Sequence, residues 1–120
     1  MSNPNNTVSI HPYFKVKPGQ LVAAKAMLPK MVAQTSPEKL MLNYDFTSND
    51  DEIFCRESYL GADGLLAHIE SIGPLLGEFL KFVNLVRVEV HGPAGELARL
   101  KGPLADLKPA WFVLECGVNR

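Results

Sequence analysis

Glutamate, tyrosine and histidine, side chains that can hold and move a proton, fall close together in one stretch, EIFCRESYLGADGLLAHIE from Glu52 to Glu70. Glu52 to Leu60 alternates as a strand does, with Ile53, Cys55, Glu57 and Tyr59 on one face and Phe54, Arg56, Ser58 and Leu60 on the other. Gly61 ends the strand. Ala62 to Ile69 then has helical spacing, and its apolar stripe of Leu65, Leu66 and Ile69 turns His68 toward or alongside the buried side. A strand tyrosine and a helix histidine can therefore meet. Glu57 is the hardest of the three to read as packing, because a carboxylate facing inward needs a hydrogen-bonded partner or a polar cavity. The plainer readings are a carbonyl-capping or half-exposed His68 and a core Tyr59. On the residues alone the chain is a soluble α+β domain with, at most, a small pocket.

The elements that position these residues run strand, helix, strand, strand, helix, strand. Thr7 to Val16 reads as the first strand, with Val8, Ile10, Phe14 and Val16 on one side and His11, Tyr13 and Lys15 on the other. Pro12 has no N–H for a ladder, so this strand lies at an edge or is bulged near its middle. Pro18 and Gly19 open a helix whose Leu21, Ala24, Leu28, Met31 and Val32 face the sheet, kinked or split at Pro29. In the second strand, Leu40 to Thr47, Leu40, Leu42, Tyr44 and Phe46 alternate with Met41, Asn43 and Asp45, and Ser48-Asn49-Asp50-Asp51 turns it into the third as an antiparallel hairpin. Ser71 and Pro74 start a separate helix, Pro74 to Phe82. Val86 to His91 is the fourth strand, with Val86, Val88 and Val90 in the core. A short helix from Ala94 to Leu100, a turn after Pro103 and a strand from Trp111 to Gly117 complete the chain. That last strand is apolar on both faces and calls for cover by another subunit. The order is that of the split βαβ, ferredoxin-like fold with an antiparallel sheet. We expect one such domain over residues 7–120 after a disordered tail, residues 1–6.

Composition removes several function classes. With 47% hydrophobic residues in 120, the chain can bury a core without disulfides or metal. A net charge of -1, with Lys and Arg scattered singly, offers no basic stripe for nucleic acid. Apolar runs are short and MSNPNNT is polar, so neither a membrane span nor a signal peptide is expected, which favours the cytosol. Cys55 and Cys116 sit in apolar strand patterns and read as reduced packing residues. No nucleotide-binding loop or serine-nucleophile elbow occurs. His11, His68 and His91 lack the spacing of a metal site, so no metal is expected.

The run RESYLGADGLLAHIESIG resembles the motif of the antibiotic biosynthesis monooxygenase superfamily, a strand ending in Glu-x-aromatic followed by an Ala-rich helix that bears a histidine. The match falls on Glu57, Tyr59, Ala62 and His68, and LMLNYDF is similar to the family's second strand, with Tyr44 at its aromatic position. The span from Thr7 to His91 fits the family's topology. The strand aromatic, usually tryptophan, is Tyr59 here, and a second histidine that often follows the first is replaced around Ile72-Gly73. A related haem-degrading branch carries a first-strand asparagine where this chain has His11-Pro12. The resemblance implies a dimeric α+β barrel in which the last strand reaches across to the partner. It also implies oxidation of an electron-rich phenol, quinol or polyketide-like aromatic by dioxygen, without metal or flavin.

Two functions follow from it. In the first, a cofactor-independent monooxygenase, His68 is the base, Tyr59 donates a hydrogen bond to the substrate oxygen and Glu57 orients one of them. Asn43 and Tyr44 are then candidate substrate contacts, and His11 an alternative base or contact. In the second, a homodimer that only binds a small ligand or serves a structural role, the same residues satisfy one another.

Overall fold

The computed structural model describes residues 6–118. Its elements are β1 (Thr7–Val16), α1 (Leu21–Thr35), β2 (Met41–Asn49), β3 (Glu52–Leu60), α2 (Gly61–Phe79), β4 (Val83–Gly92), α3 (Ala94–Leu100), a 3-10 turn (Ala105–Leu107) and β5 (Ala110–Val113). The sheet order is β2-β3-β1-β4-β5. Each paired neighbour among the first four strands is antiparallel, while β5 lies parallel to β4. This is the α+β, ferredoxin-like arrangement with one strand added at an edge. The expected tail, apart from Asn6, lies outside the described residues. No helix among the described residues is long and apolar enough to cross a membrane.

The sheet buries one face under the helices, and that face carries two packed clusters. One gathers Val8, Ile10, Tyr59, Leu65 and Val90 with Leu97, Leu100 and Leu104. The other gathers Phe14, Met27, Met31, Ile53, Ile72 and Phe79. β1 sits in the middle of the sheet despite Pro12. It pairs with β3 from Thr7 opposite Leu60 to Ile10 opposite Glu57, and again from Tyr13 opposite Phe54, and its register against β4 shifts after Tyr13. The missing donor is thus absorbed by an interrupted ladder and a neighbouring bulge.

Several expectations fail for identifiable reasons. β4 carries an extra residue at that register shift, so Val86 is 63% exposed while Val83 and Leu85 turn toward the core. β2 shifts register between Met41 and Asn43, which puts Met41 against the core and leaves Leu42 exposed. An alternation pattern cannot see a bulge, which reverses the faces on one side of itself. Pro18 and Gly19 lie before α1, in a turn where Gly19 has φ +78. α1 runs unbroken through Pro29, and its buried stripe is Ala24, Met27, Met31 and Thr35. The two helices expected after β3 are one, α2, which passes through Pro74. Proline removes a single bond to the turn before it, and the buried stripe from Ala62 through Leu65, His68 and Ile72 to Phe79 keeps both halves on the sheet. β5 adds to its own chain's sheet at the edge, with Phe112, Val113 and Leu114 exposed, and Cys116 is exposed instead of packed.

The junction that sets the site is the corner between β3 and α2. Gly61 adopts φ +66, and a Cβ there would lie 2.8 Å from both Asn6 and Glu96 side-chain atoms, so glycine is required twice over. Glu96 of α3 accepts a hydrogen bond from the Ala62 amide at 2.7 Å, satisfying a free donor at the start of α2. At Gly64 a Cβ would stand 2.9 Å from that of Tyr59 and 3.1 Å from that of Leu40. The helix therefore lies as close to β3 as backbone allows, and the histidine one turn further on is pressed toward the strand's inner face.

Candidate active site

Glu57 and Tyr59 share the inner face of β3, and Tyr59 reaches back to donate its hydroxyl proton to Glu57 Oε1 at 2.5 Å. His68 comes down from α2 with Nε2 3.5 Å from the same oxygen and its ring centroid 5.0 Å from that of Tyr59. On the far side of the ring, Nδ1 lies 3.0 and 3.1 Å from the two carboxylate oxygens of Glu38, in the segment between α1 and β2. A carboxylate only accepts, so it selects the tautomer with hydrogen on Nδ1. The lone pair of Nε2 then points at Glu57. Tyr44, opposite Glu57 in the β2–β3 ladder, closes the group with its ring centroid 5.0 Å from that of His68.

These groups are held out of water. Glu57, Tyr59 and His68 are 7%, 0% and 4% exposed. Burial pushes the Glu57 carboxyl up to about 7, because the charged form loses its hydration; hydrogen bonds from Tyr59 and Cys55 work against this, and the charge of Glu38 adds to it. Burial lowers the His68 pKa, with Glu38 pulling the other way. The hydroxyls of Tyr44 and Tyr59 and the thiol of Cys55 are all raised, first by burial and then by nearby acids. Near neutral pH the set therefore consists of a neutral imidazole facing a carboxyl poised between its two states.

A cavity of about 270 Å³ opens between sheet and helices, and Glu57, His68 and Tyr44 lie on its wall. Almost everything else there is apolar, from Ile10 and Phe14 on β1 to Ile72 and Leu76 on α2. Tyr59 is not on that wall. Its hydroxyl is held by the Glu57 carboxyl instead of facing the cavity. His11 lies on the opposite face of the sheet, where its Nε2 is 2.8 Å from Ser9 Oγ and its ring packs edge-on to His91 at 4.6 Å. Asn43 is tied to Ser58 and to the carbonyl oxygen of Arg56, at 3.0 Å from the latter, and is likewise away from the cavity. Glu38 was not foreseen. It follows Ser36-Pro37 in a connecting segment with no periodicity, 30 residues from its partner, and only the completed fold brings the two together. Among the described residues no group of three or more His, Cys, Asp and Glu is arranged to hold a metal ion.

No protein-family model matches the sequence, and neither does any curated protein. Solved structures do. MupZ from Pseudomonas fluorescens is 41% identical, with 97% of this chain and 96% of that one covered at a TM-score of 0.92. A putative antibiotic biosynthesis monooxygenase from Nitrosomonas europaea matches at 16% identity and TM-score 0.66, covering 78% of this chain and 96% of its own. One from Chloroflexus aurantiacus matches at 18% identity and 0.61, covering 74% and 94%. The chain belongs to one family with MupZ. The two proteins named as antibiotic biosynthesis monooxygenases share its fold over nearly their whole length yet leave about a quarter of this chain unmatched, whereas MupZ matches almost all of it. This chain and MupZ thus share extra length that those two proteins lack.

Proposed function

We propose that the protein is an enzyme of proton transfer acting on a small, mainly apolar molecule in this cavity, with Glu57 and His68 as the reacting acid and base and Glu38 and Tyr59 holding them. The observation that carries this is a carboxyl raised to about 7 standing 3.5 Å from an oriented imidazole Nε2 on an otherwise apolar wall. Burying two such groups costs stability, and perturbed groups of this kind gather where chemistry needs them.

The names of the structural neighbours support monooxygenation, for which the sequence resemblance implies an electron-rich phenol or quinol as substrate. The base takes the phenolic proton and the resulting anion passes electrons to dioxygen. The two recombine, one oxygen atom staying on the ring carbon and the other leaving as water with two substrate hydrogens. Here the reactive form of Glu57 is the carboxylate, as base beside neutral His68. A second reading is favoured by the proton that burial keeps on Glu57. In a redox-neutral isomerisation, elimination or addition, Glu57 gives a proton to a substrate oxygen while His68 Nε2 removes one elsewhere, as paired acid and base do.

The pH profile separates the two. For oxygenation kcat/KM should rise as pH passes upward through about 7; for the redox-neutral reaction it should fall there, and fall again below the lowered pKa of His68. The groups that face the pair and enter this balance are Glu38, Tyr44, Cys55 and Tyr59. The assay is a panel of hydroquinones, polycyclic phenols and hydroxylated enones, followed by dioxygen uptake and product mass. An inflection near 7 that survives Glu57→Gln would remove Glu57 from the reaction. No turnover of any kind across the panel would leave the small-ligand-binding or structural role.

A homodimer is part of the proposal. Phe112, Val113 and Leu114 stand exposed at the β5 edge, and the outer face of the sheet carries an aromatic row of Tyr13, Phe54, His11, His91 and Phe112. Such an edge and such a face call for cover. Sedimentation should give a species of twice 13.2 kDa, and a stable monomer at micromolar concentration would remove the claim.

A further inference from the structure

Part of the cavity wall comes from the segment after β4. The turn between α3 and β5 sets Pro103, Leu104, Asp106 and Leu107 along it. This segment is anchored, since Leu97, Leu100 and Leu104 are buried in one cluster with Leu65 and Val88. It therefore shapes what enters.

The charge around the cavity has one sign. Glu57 and Asp106 are on its wall, Glu38 stands behind His68, and among the described residues the wall has no lysine or arginine. The imidazole does not offset them, because burial favours its neutral form. Lys101, on the same segment as Asp106, lies over the Trp111 ring at 5.9 Å from the centroid, off the wall, and Lys108 is off it too. An anion drawn inside would lose hydration, gain no cation and face two carboxyl groups, which disfavours it strongly. The remaining surface is mostly branched aliphatic, with Ile69, Ile72, Leu76 and Leu85 prominent.

We infer that the cavity takes neutral or cationic, mainly apolar molecules and rejects free carboxylic acids and phosphates, Asp106 being the charge-selecting residue. A substrate derived from a carboxylic acid would then enter only with that group masked, as an ester, thioester or amide. The inference rests on the cavity being the reactive site and names its substrate class.

Displacement of nile red from the purified protein by decan-1-ol, decylamine and decanoate at pH 8 tests it. The alcohol and the amine should displace the dye at concentrations at least about tenfold lower than decanoate does, the scale of one like-charge contact. Asp106 is exposed on its turn, so Asp106→Lys should leave folding intact and should bring decanoate to within a few fold of the alcohol. Equal binding of decanoate by the unmodified protein, or no displacement by any of the three, overturns the inference. A preference unchanged by Asp106→Lys removes Asp106 from it. The measurement needs no turnover. Failure of the proton-transfer reading would show as a missing pH inflection with the charge preference intact.

Discussion

Replacing Glu57 with Gln should make the protein more stable above neutral pH while removing its activity. The carboxyl has a pKa of about 7 in the folded chain against 4.5 for an ordinary glutamate, so between those values the native state holds a proton that the unfolded state has released. Native stability therefore falls as pH rises through that window. The penalty is absent below about 4.5 and complete somewhat above 7, where a shift of this size corresponds to on the order of 3 kcal/mol. Gln keeps the length and an acceptor for the Tyr59 hydroxyl but carries no charge to desolvate. At pH 8 the variant should unfold later by about 1–3 kcal/mol, several degrees in midpoint for a domain of this size. Acidification should shrink the difference until it vanishes below about pH 4.5. Turnover should drop by roughly 10²–10⁴-fold, the usual contribution of a positioned acid or base. Thermal melts at pH 4, 6 and 8 read the first effect without any substrate. A variant less stable at pH 8 would mean that Glu57 is ionised and well compensated in the native protein, and the acid–base pair would lose its acid.

Such a trade of stability for chemistry also explains which parts of the site were legible. Strand and helix periods are local, so the positions of β1, β3 and the first half of α2, and the shared face of Glu57 and Tyr59, follow from residues within a few places of one another. That His68 is buried follows equally from the stripe on α2. What escaped was non-local. The bulges in β2 and β4 leave the pattern of apolar residues looking regular while turning Leu42 and Val86 outward. Tyr59 has the composition of a substrate contact, but its hydroxyl is spent on Glu57, a fact of two residues' geometry that alternation cannot supply. His11 and Asn43 carried useful chemistry on the wrong face or away from the cavity, because a sheet has two sides and only the helices decide which is the site. Glu38 and Asp106 come from connecting segments, where no period exists and position depends on the whole fold.

Glu38→Gln should cost nearly as much activity as His68→Gln, although Glu38 does not touch the cavity. With a carboxylate at Nδ1, the imidazole must carry its hydrogen there, and Nε2 faces Glu57 with a free lone pair. A glutamine amide can instead donate to Nδ1, which moves the ring hydrogen to Nε2 and turns the base into a donor. Loss of the correct tautomer by such a change has cost as much as about 10⁴ in rate where an acid orients a catalytic histidine. For His68→Gln we expect roughly 10²–10⁴-fold in the redox-neutral reaction, where His68 is the base and is gone. Glu38→Gln should separate from the unmodified protein in the nitrogen NMR spectrum of the His68 imidazole. In the unmodified protein the His68 signals should be those of the Nδ1-protonated form, and in Glu38→Gln those of the Nε2-protonated form, at a pH where both are neutral. A merely structural Glu38 would leave the tautomer unchanged while lowering the melting temperature. If Glu38→Gln keeps both the tautomer and the rate, the orientation of His68 is set by its packing against Tyr44 and Tyr59, whose ring centroids each lie 5.0 Å from its own, and the carboxylate is dispensable.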